Sequence, residues 1–392
     1  MNIRKILKED KFEAYLISSY CFHARIDDVE KERERIESET DEDWGAFADD
    51  GKLAARLINN HFELNIDGTA VKSGGVGAVS TLPEYRNSGA VKLIFKELLP
   101  ECYRNGDVLS TLFPFNHAFY RKQGYDTVTY KNEYELTPAM LRHIKTDCNI
   151  TMWNGQSNIA DYLDIYNEFS KNYNIAMVRD EKEMLSHVKS DSLYKDRKFS
   201  YLFTKNGENL AYLTFTDVYD PAGAIMRVNE ALWKNTDGFY GILAFLGRFD
   251  SDYAKIELPL PCGIDLLRIL RTEKEHDIKK KTRHDFMIRV INAEKILELI
   301  NKPENCDFVI RVTDDIIYEN NAMFRVTGNS VTRVSDDTEP DIYADIRSFS
   351  QLVTGCISLE EAVLKPDVTV YKNEEMLAKV FRERKIFINE FF

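Results

Sequence analysis

At 392 residues the chain can bury more than one core, since single cores rarely grow past about 250 residues before a chain divides. Its 44% hydrophobic and 12% aromatic residues are those of a folded protein, while a formal net charge of −13 argues against a nucleic-acid partner and suits a cationic substrate. No apolar run reaches the roughly 18 residues of a membrane span, and MNIRKILKEDKFEAY meets charge too early for a secretory signal, so the expected compartment is the cytoplasm.

Six cysteines stand singly at 21, 102, 148, 262, 306 and 356, with no Cys-x-x-Cys pair, so reduced thiols are expected rather than a zinc site or a disulfide framework. In chain order, NIRKIL opens as a strand, residues 10–22 have helical spacing, and the charged run at 27–39 reads as a solvated second helix. WGAFADDGKLAARLI alternates across Asp50-Gly51, a dipeptide that tolerates positive φ and favours a hairpin. GGVGAVST then reads as a strand, LPEYRNSGA as a turn and VKLIFKELLPECY as a helix. In that helix Val91, Ile94, Phe95, Leu98, Leu99 and Cys102 share one face. A short strand at DVLSTLF, a short helix at 117–123 and strands over 125–136 complete the first region.

A second mixed region contains strands at KFSYLFT, NLAYLTFTDV and AGAIMRVNEALW and a helix at 238–249. It closes on EKEHDIKKKTRHD, at 273–285, which reads as a solvated connection. From residue 285 strands (DFMIRVI, DFVIRVT, AMFRVTG, SVTRVS, DIYADIR) alternate with three short helical patterns, as in an α+β unit.

The chain lacks Gly-x-Gly-x-x-Gly, a P-loop, His-Glu-x-x-His and Gly-x-Ser-x-Gly. What remains is the turn Arg86-Asn87-Ser88-Gly89-Ala90-Val91 between a buried strand and an amphipathic helix. A helix amino terminus offers unpaired N–H groups and partial positive charge, and glycine lets a diphosphate approach the backbone. The glycines at 74, 75 and 77 weaken a strand unless a ligand backbone uses the space. Tyr120, in FPFNHAFYRKQGYD, can donate a proton to a leaving sulfur, and His117 is a candidate base. Each residue has an ordinary structural reading too: a capped turn, a buried phenol, a surface histidine.

On GVGAVSTLPEYRNSG and FNHAFYRKQGY, at their mutual spacing, the chain resembles the Eis-like acetyltransferases of the GNAT superfamily, named for enhanced intracellular survival. DIYADIRSFSQLVTGCISLEEA and LAKVFRERKIFINEFF resemble the closing half of that family's third domain. The resemblance implies a mixed α/β, α+β fold: a GNAT domain at 1–145, a degenerate GNAT-like domain at 146–284 without an Arg-x-x-Gly, and a sterol-carrier-protein-like domain at 285–392. It also implies acetyl-CoA as cosubstrate, one coenzyme site per chain, no metal, and a homo-oligomer, hexameric by resemblance.

By the same resemblance Val79, Ser80 and Thr81 are the pantetheine strand, and Arg86, Asn87, Ser88, Gly89, Ala90, Val91 and Lys92 the pyrophosphate loop. Phe115 and Asn116 flank the acetyl end, Tyr120 is the general acid, and the terminal carboxylate of Phe392 is the base. Two departures stand out: Val91 replaces the small residue common in GNAT loops, and the loop carries one arginine. The implied activity is N-acetylation of a cationic primary amine, aminoglycoside-like, polyamine or lysine side chain, with Asp27, Asp28 and Glu30 as candidates for the site's entrance. The alternative is a silent GNAT-derived scaffold that binds coenzyme, an apolar ligand or a protein partner.

Overall fold

The computed structural model describes residues 1–39, 42–189, 197–221, 223–270 and 278–390. Two compact units emerge: Met1–Val128 with Asp285–Arg384, and Thr129–His284 with Lys385–Asn389.

The first unit begins with β1 (Asn2–Lys5), α1 (Lys11–Cys21), α2 (Val29–Ser38), β2 (Glu42–Phe47), β3 (Leu53–Ile66) and β4 (Thr69–Thr81). It continues through α3 (Ala90–Arg104), β5 (Leu109–Leu112), α4 (His117–Arg121) and β6 (Asp126–Val128). The long β3–β4 hairpin turns at Asp67-Gly68, where φ is +48° and +89°. Two consecutive left-handed residues make the turn whose twist matches that of the flanking strands, and Asp-Gly is a sequence signal for it. All six apolar residues expected on the inner face of α3 are buried there, beneath Trp44, Leu57 and Val76.

The second unit runs β7 (Lys131–Leu136), β8 (Asn149–Met152), α5 (Ile159–Ser170), α6 (Glu181–Val188), β9 (Lys198–Lys205), β10 (Glu208–Val218), β11 (Ile225–Trp233), α7 (Thr236–Leu246), β12 (Lys255–Pro261), α8 (Leu266–Ile269) and β13 (Lys279–Arg283). Its sheet is ordered β13-β7-β12-β11-β10-β9-β8, with β11 antiparallel to β10 and parallel to β12.

The chain then returns to the first unit with β14 (Phe286–Val290), α9 (Ala293–Leu299), β15 (Asp307–Thr313), β16 (Ala322–Thr327), β17 (Ser330–Val334), β18 (Ile342–Asp345), α10 (Ile346–Thr354), α11 (Leu359–Ala362), β19 (Val368–Val370) and α12 (Glu374–Val380). The first unit thus holds two sheets, β1-β2-β3-β4-β5-β14-β6 and β17-β16-β15-β18-β19.

Three consecutive regions were expected, but two strands cross the boundaries drawn at 145 and 284. DFMIRVI, assigned to the third region, supplies β14, which lies between β5 and β6 and is antiparallel to both. All five of its residues are buried, and a strand with no polar face belongs in a sheet interior. Within it Arg289 is fully buried, its guanidinium clamped on both oxygens of Asp314 at 2.6 and 2.7 Å and donating to Gln123 O at 2.8 Å. Gly124 has to be glycine: φ is +83°, and a Cβ would sit 1.4 Å from that guanidinium. Conversely β7, expected in the first sheet, pairs with β12 and β13 in the second.

The basic run expected as a solvated connection is exposed where it is described, but it is no mere connection: residues 279–283 form edge strand β13. Lys279 reaches Glu135 at 2.6 Å and Arg283 reaches Glu133 at 2.7 Å across the ladder. Cross-strand charge pairing supplies the strand, and the lysine-rich edge discourages further pairing.

Candidate active site

The site gathers where the β3–β4 hairpin bends. The ladder register shifts between Arg56 and Ile58, and Ala78 on the facing strand takes φ +50°, so β4 bulges. β4 pairs in parallel with β5 only from Ser73–Val76 to Leu109–Leu112. Past Val76 the two strands part, while Ser80 and Thr81 stay paired with Arg56 and Ala55 on the other edge. Val79, Ser80 and Thr81 therefore lie on the diverging stretch, as expected of a strand that offers one edge to a ligand's amides.

Arg86, Asn87, Ser88 and Gly89 form an exposed loop in which Asn87 and Gly89 have φ of +64° and +82°. Gly89 is the residue that precedes α3, whose Ala90 and Val91 are buried and whose Lys92 is exposed. No acidic residue occupies the first turn of α3, and a Cβ added at Gly89 would meet nothing within 4 Å. An open, cationic helix terminus of this kind fits a diphosphate, because its N–H groups and dipole favour negative charge. Val91 packs inward with Ile94 and Phe95, so its bulk is spent in the core and leaves the loop open.

Tyr120 sits on α4 at 1% exposure, with Phe115, Phe119 and Phe95 edge-on or tilted around it at ring-centroid distances of 5.3, 5.1 and 6.2 Å. Burial pushes its phenol above the ordinary tyrosine range, which keeps it protonated. Its hydroxyl has no hydrogen-bond partner among the described residues, unlike the buried Tyr125, which pairs with Ser110 at 2.7 Å.

A cavity of 880 Å³ opens beside it, walled by Tyr15, Ser18 and Ser19 of α1, Asp43 and Arg56 of β2 and β3, the β4 bulge from Val76 to Val79, and Phe113, Phe115 and Tyr120. Arg56 is ion-paired with Asp43 and donates to Ser18 Oγ at 3.2 Å; Ser18 shares a hydrogen bond with Ser80 Oγ at 3.0 Å, and Ser80 donates to Ala78 O at 3.1 Å. This buried network braces the bulge. Glu39 and Arg35, also on the wall, are paired with each other. Among the described wall residues the carboxylates of Glu39 and Asp43 are thus matched by the guanidinium groups of Arg35 and Arg56, and the buried Ser19 Oγ and Arg56 Nε have no hydrogen-bond partner among the described residues.

Other expected residues take different places. Asn116 is exposed and spends its side-chain oxygen capping α4, accepting from Phe119 N at 3.1 Å. His117 is exposed and does not line the cavity. Asp28 caps α2 through Lys31 N, and Asp27, Asp28 and Glu30 are absent from the cavity wall. Phe392 lies outside the described residues. Sequence reading missed Asp43, Arg56 and Ser18. The usable signal was a charge, Asp43 or Arg56, inside each of two otherwise apolar stretches, DWGAF and LAARLI. No group of His, Cys, Asp and Glu suited to a metal occurs among the described residues.

Residues 2–128 match the family described as acetyltransferase (GNAT) domain. The first unit carries a GNAT acetyltransferase domain. Residues 292–389 match the sterol carrier protein domain family. No curated protein matches the chain in sequence. In fold it is similar over its whole length to a GCN5-related N-acetyltransferase from Anabaena variabilis (TM-score 0.87, 19% identity, 100% of both chains). It is equally similar to a probable N-acyltransferase from Enterococcus faecalis (0.88, 19%, 100% of this chain and 99% of that one). Eis1 from Mycobacterium abscessus shares the fold at 0.81 and 17% identity over 100% of both chains.

Proposed function

We propose that the GNAT domain transfers an acetyl group from acetyl-CoA directly to a primary amine, and that Tyr120 is its general acid. The observation that carries this reading is the protonated Tyr120 hydroxyl, without a hydrogen-bond partner among the described residues, on the wall of the 880 Å³ cavity, beside the point where β4 leaves β5. Acetyl-CoA supplies the acyl group as a thioester. Arg86, Lys92 and the N–H groups of Gly89, Val91 and Lys92 bind its diphosphate, those of Ser88 and Ala90 being held by Tyr85 O and Ser88 Oγ, and the free edge of Val79–Thr81 receives its amides. Phe115 shields the acyl end, and the N–H groups of the bulge stabilise charge on the carbonyl oxygen. A carbon–nitrogen bond forms as the carbon–sulfur bond breaks; Tyr120 delivers one proton to sulfur, and the terminal carboxylate of Phe392 takes one from nitrogen.

Aminoglycoside-like amines, polyamines and lysine side chains are the substrates to try. A singly charged amine belongs in the same panel. Assembly as a homo-oligomer, six chains by resemblance, and a cytoplasmic location form part of this proposal. No helix among the described residues is long and apolar enough to cross a membrane.

The test is thiol release from acetyl-CoA across that panel, comparing the wild type with Tyr120→Phe and with a chain extended beyond Phe392. Turnover that collapses in both variants supports both assignments. Coenzyme binding without turnover on any amine sinks the enzyme reading in favour of a scaffold.

A further inference from the structure

The second unit repeats the plan of the first at one place. There β11, α7 and β12 follow a long antiparallel hairpin, as β4, α3 and β5 do, and β11 pairs in parallel with β12 only from Ile225–Arg227 to Lys255–Glu257. Beyond that ladder the strands part. Pro259 and Pro261 on β12 have no N–H to offer, which helps keep the ladder from closing.

The helix end that would seat a diphosphate is already in use. Asn235 caps α7, accepting from Gly238 N at 3.0 Å, and the first turn carries Asp237, whose charge opposes that of a phosphate and is held by Lys205 at 2.7 Å.

The opening itself holds a segment of this chain. Lys385 O accepts from Asn174 N at 2.8 Å and Phe387 N donates to Asn174 O at 3.1 Å, a parallel bridge between Asn174 and Ile386. Phe387 enters an aromatic nest, 5.3 Å from Phe169, 5.8 Å from Tyr173 and 6.5 Å from Tyr166. Asn389 Nδ2 donates to Asn229 O at 3.1 Å and to Glu230 Oε1 at 2.9 Å. Glu230, buried at 3% exposure, is fixed by a bidentate pair with Arg179 at 2.8 and 2.9 Å and a hydrogen bond from Tyr212. Ile386, Phe387 and Ile388 are 6%, 6% and 2% exposed, and the space left between them and the strands is 20 Å³, room for about one water.

We infer that the groove between β11 and β12 is a peptide-binding site whose ligand is the chain's own segment 385–389, and that this site takes no coenzyme. Backbone pairing with Asn174 after α5, an aromatic anchor against α5 and an amide of Asn389 that reads Asn229 O and the buried Glu230 of β11 are the elements of extended-peptide recognition. Here they occupy the position where a GNAT fold would receive a pantetheine arm.

Hydrogen exchange on the full-length chain, with and without coenzyme A, tests this. The amides of 386–388 are expected to exchange at least about 100-fold slower than an open chain, and saturating coenzyme A leaves that protection unchanged. Phe387→Ala and Asn389→Ala, which touch only the segment, lower the protection at least tenfold, while the amides of β10 and β11 hold theirs. Unprotected wild-type amides would overturn the inference, and so would coenzyme A speeding exchange in 386–388, since that marks a coenzyme cleft with a displaceable plug. Absence of any coenzyme binding would sink the proposed acetyl transfer yet leave the groove standing on its own protection data.

Discussion

The openings beside β4 and β11 share a topology and differ in content: 880 Å³ of cavity beside a phenol in one, 20 Å³ around a docked segment of chain in the other. The difference comes down to a few side chains. At one helix terminus Ser88 Oγ takes only the Ala90 N–H, and Lys92 in the first turn makes the end cationic; at the other Asn235 takes the Gly238 N–H and Asp237 makes the end acidic. On that inference a GNAT-like sheet is not by itself a coenzyme site: what its parted strands receive depends on the side chains around them.

Four measurements break or sharpen that comparison. Tyr120→Phe removes the donor and little volume, so kcat for thiol release falls about 100- to 10,000-fold while coenzyme affinity is unchanged; an unchanged kcat ends the general-acid assignment. In the second unit Glu230→Gln strands the buried Arg179 charge and loosens Asn389, costing about 3–5 kcal/mol in a denaturant titration. A loss below about 1 kcal/mol would mean the pair contributes little. Gly89→Ala meets no steric obstacle but must hold φ +82°, so about 1–2 kcal/mol of stability or coenzyme affinity is lost, and the altered loop is detected by coenzyme titration.

The smallest effect is one of pH. Burial alone would lift the Glu230 carboxyl; the charge and hydrogen bonds of Arg179 outweigh it and bring the group from its ordinary 4.5 down to about 2. A depressed folded pKa stabilises fully above 4.5 and is lost as pH falls toward 2. Acid unfolding of the second unit, followed by far-ultraviolet dichroism, then loses this contribution across that window, whereas in Glu230→Gln the matching loss is absent.

Much of the first unit was legible before any coordinates. The inner face of α3, the turn ahead of it and the position of Tyr120 are local: each depends on residue spacing and backbone freedom within about fifteen residues. The capping role of Asn116 was not read from the sequence, because an Asn three residues ahead of a backbone N–H caps a helix as readily as it contacts a ligand. Arg56 and Asp43 escaped notice because their partnership spans two strands, and nothing in either strand alone reveals which face looks into a cavity. The run at 279–283 was read as solvated from its charge; the glutamates that make it a strand lie on β7, far away in sequence.

The sequence by itself determined the helix faces, the tight turns, the exposed loop ahead of α3 and the family resemblance, since local sterics and hydrophobic period settle these. Only the tertiary structure decided that β14 completes the first sheet, that β7 belongs to the second, and that residues 385–389 fill the second opening. Strand pairing and groove filling depend on long-range backbone hydrogen bonds, which any extended segment can make. Which segment makes them is settled by burial and charge matching once the whole chain is folded.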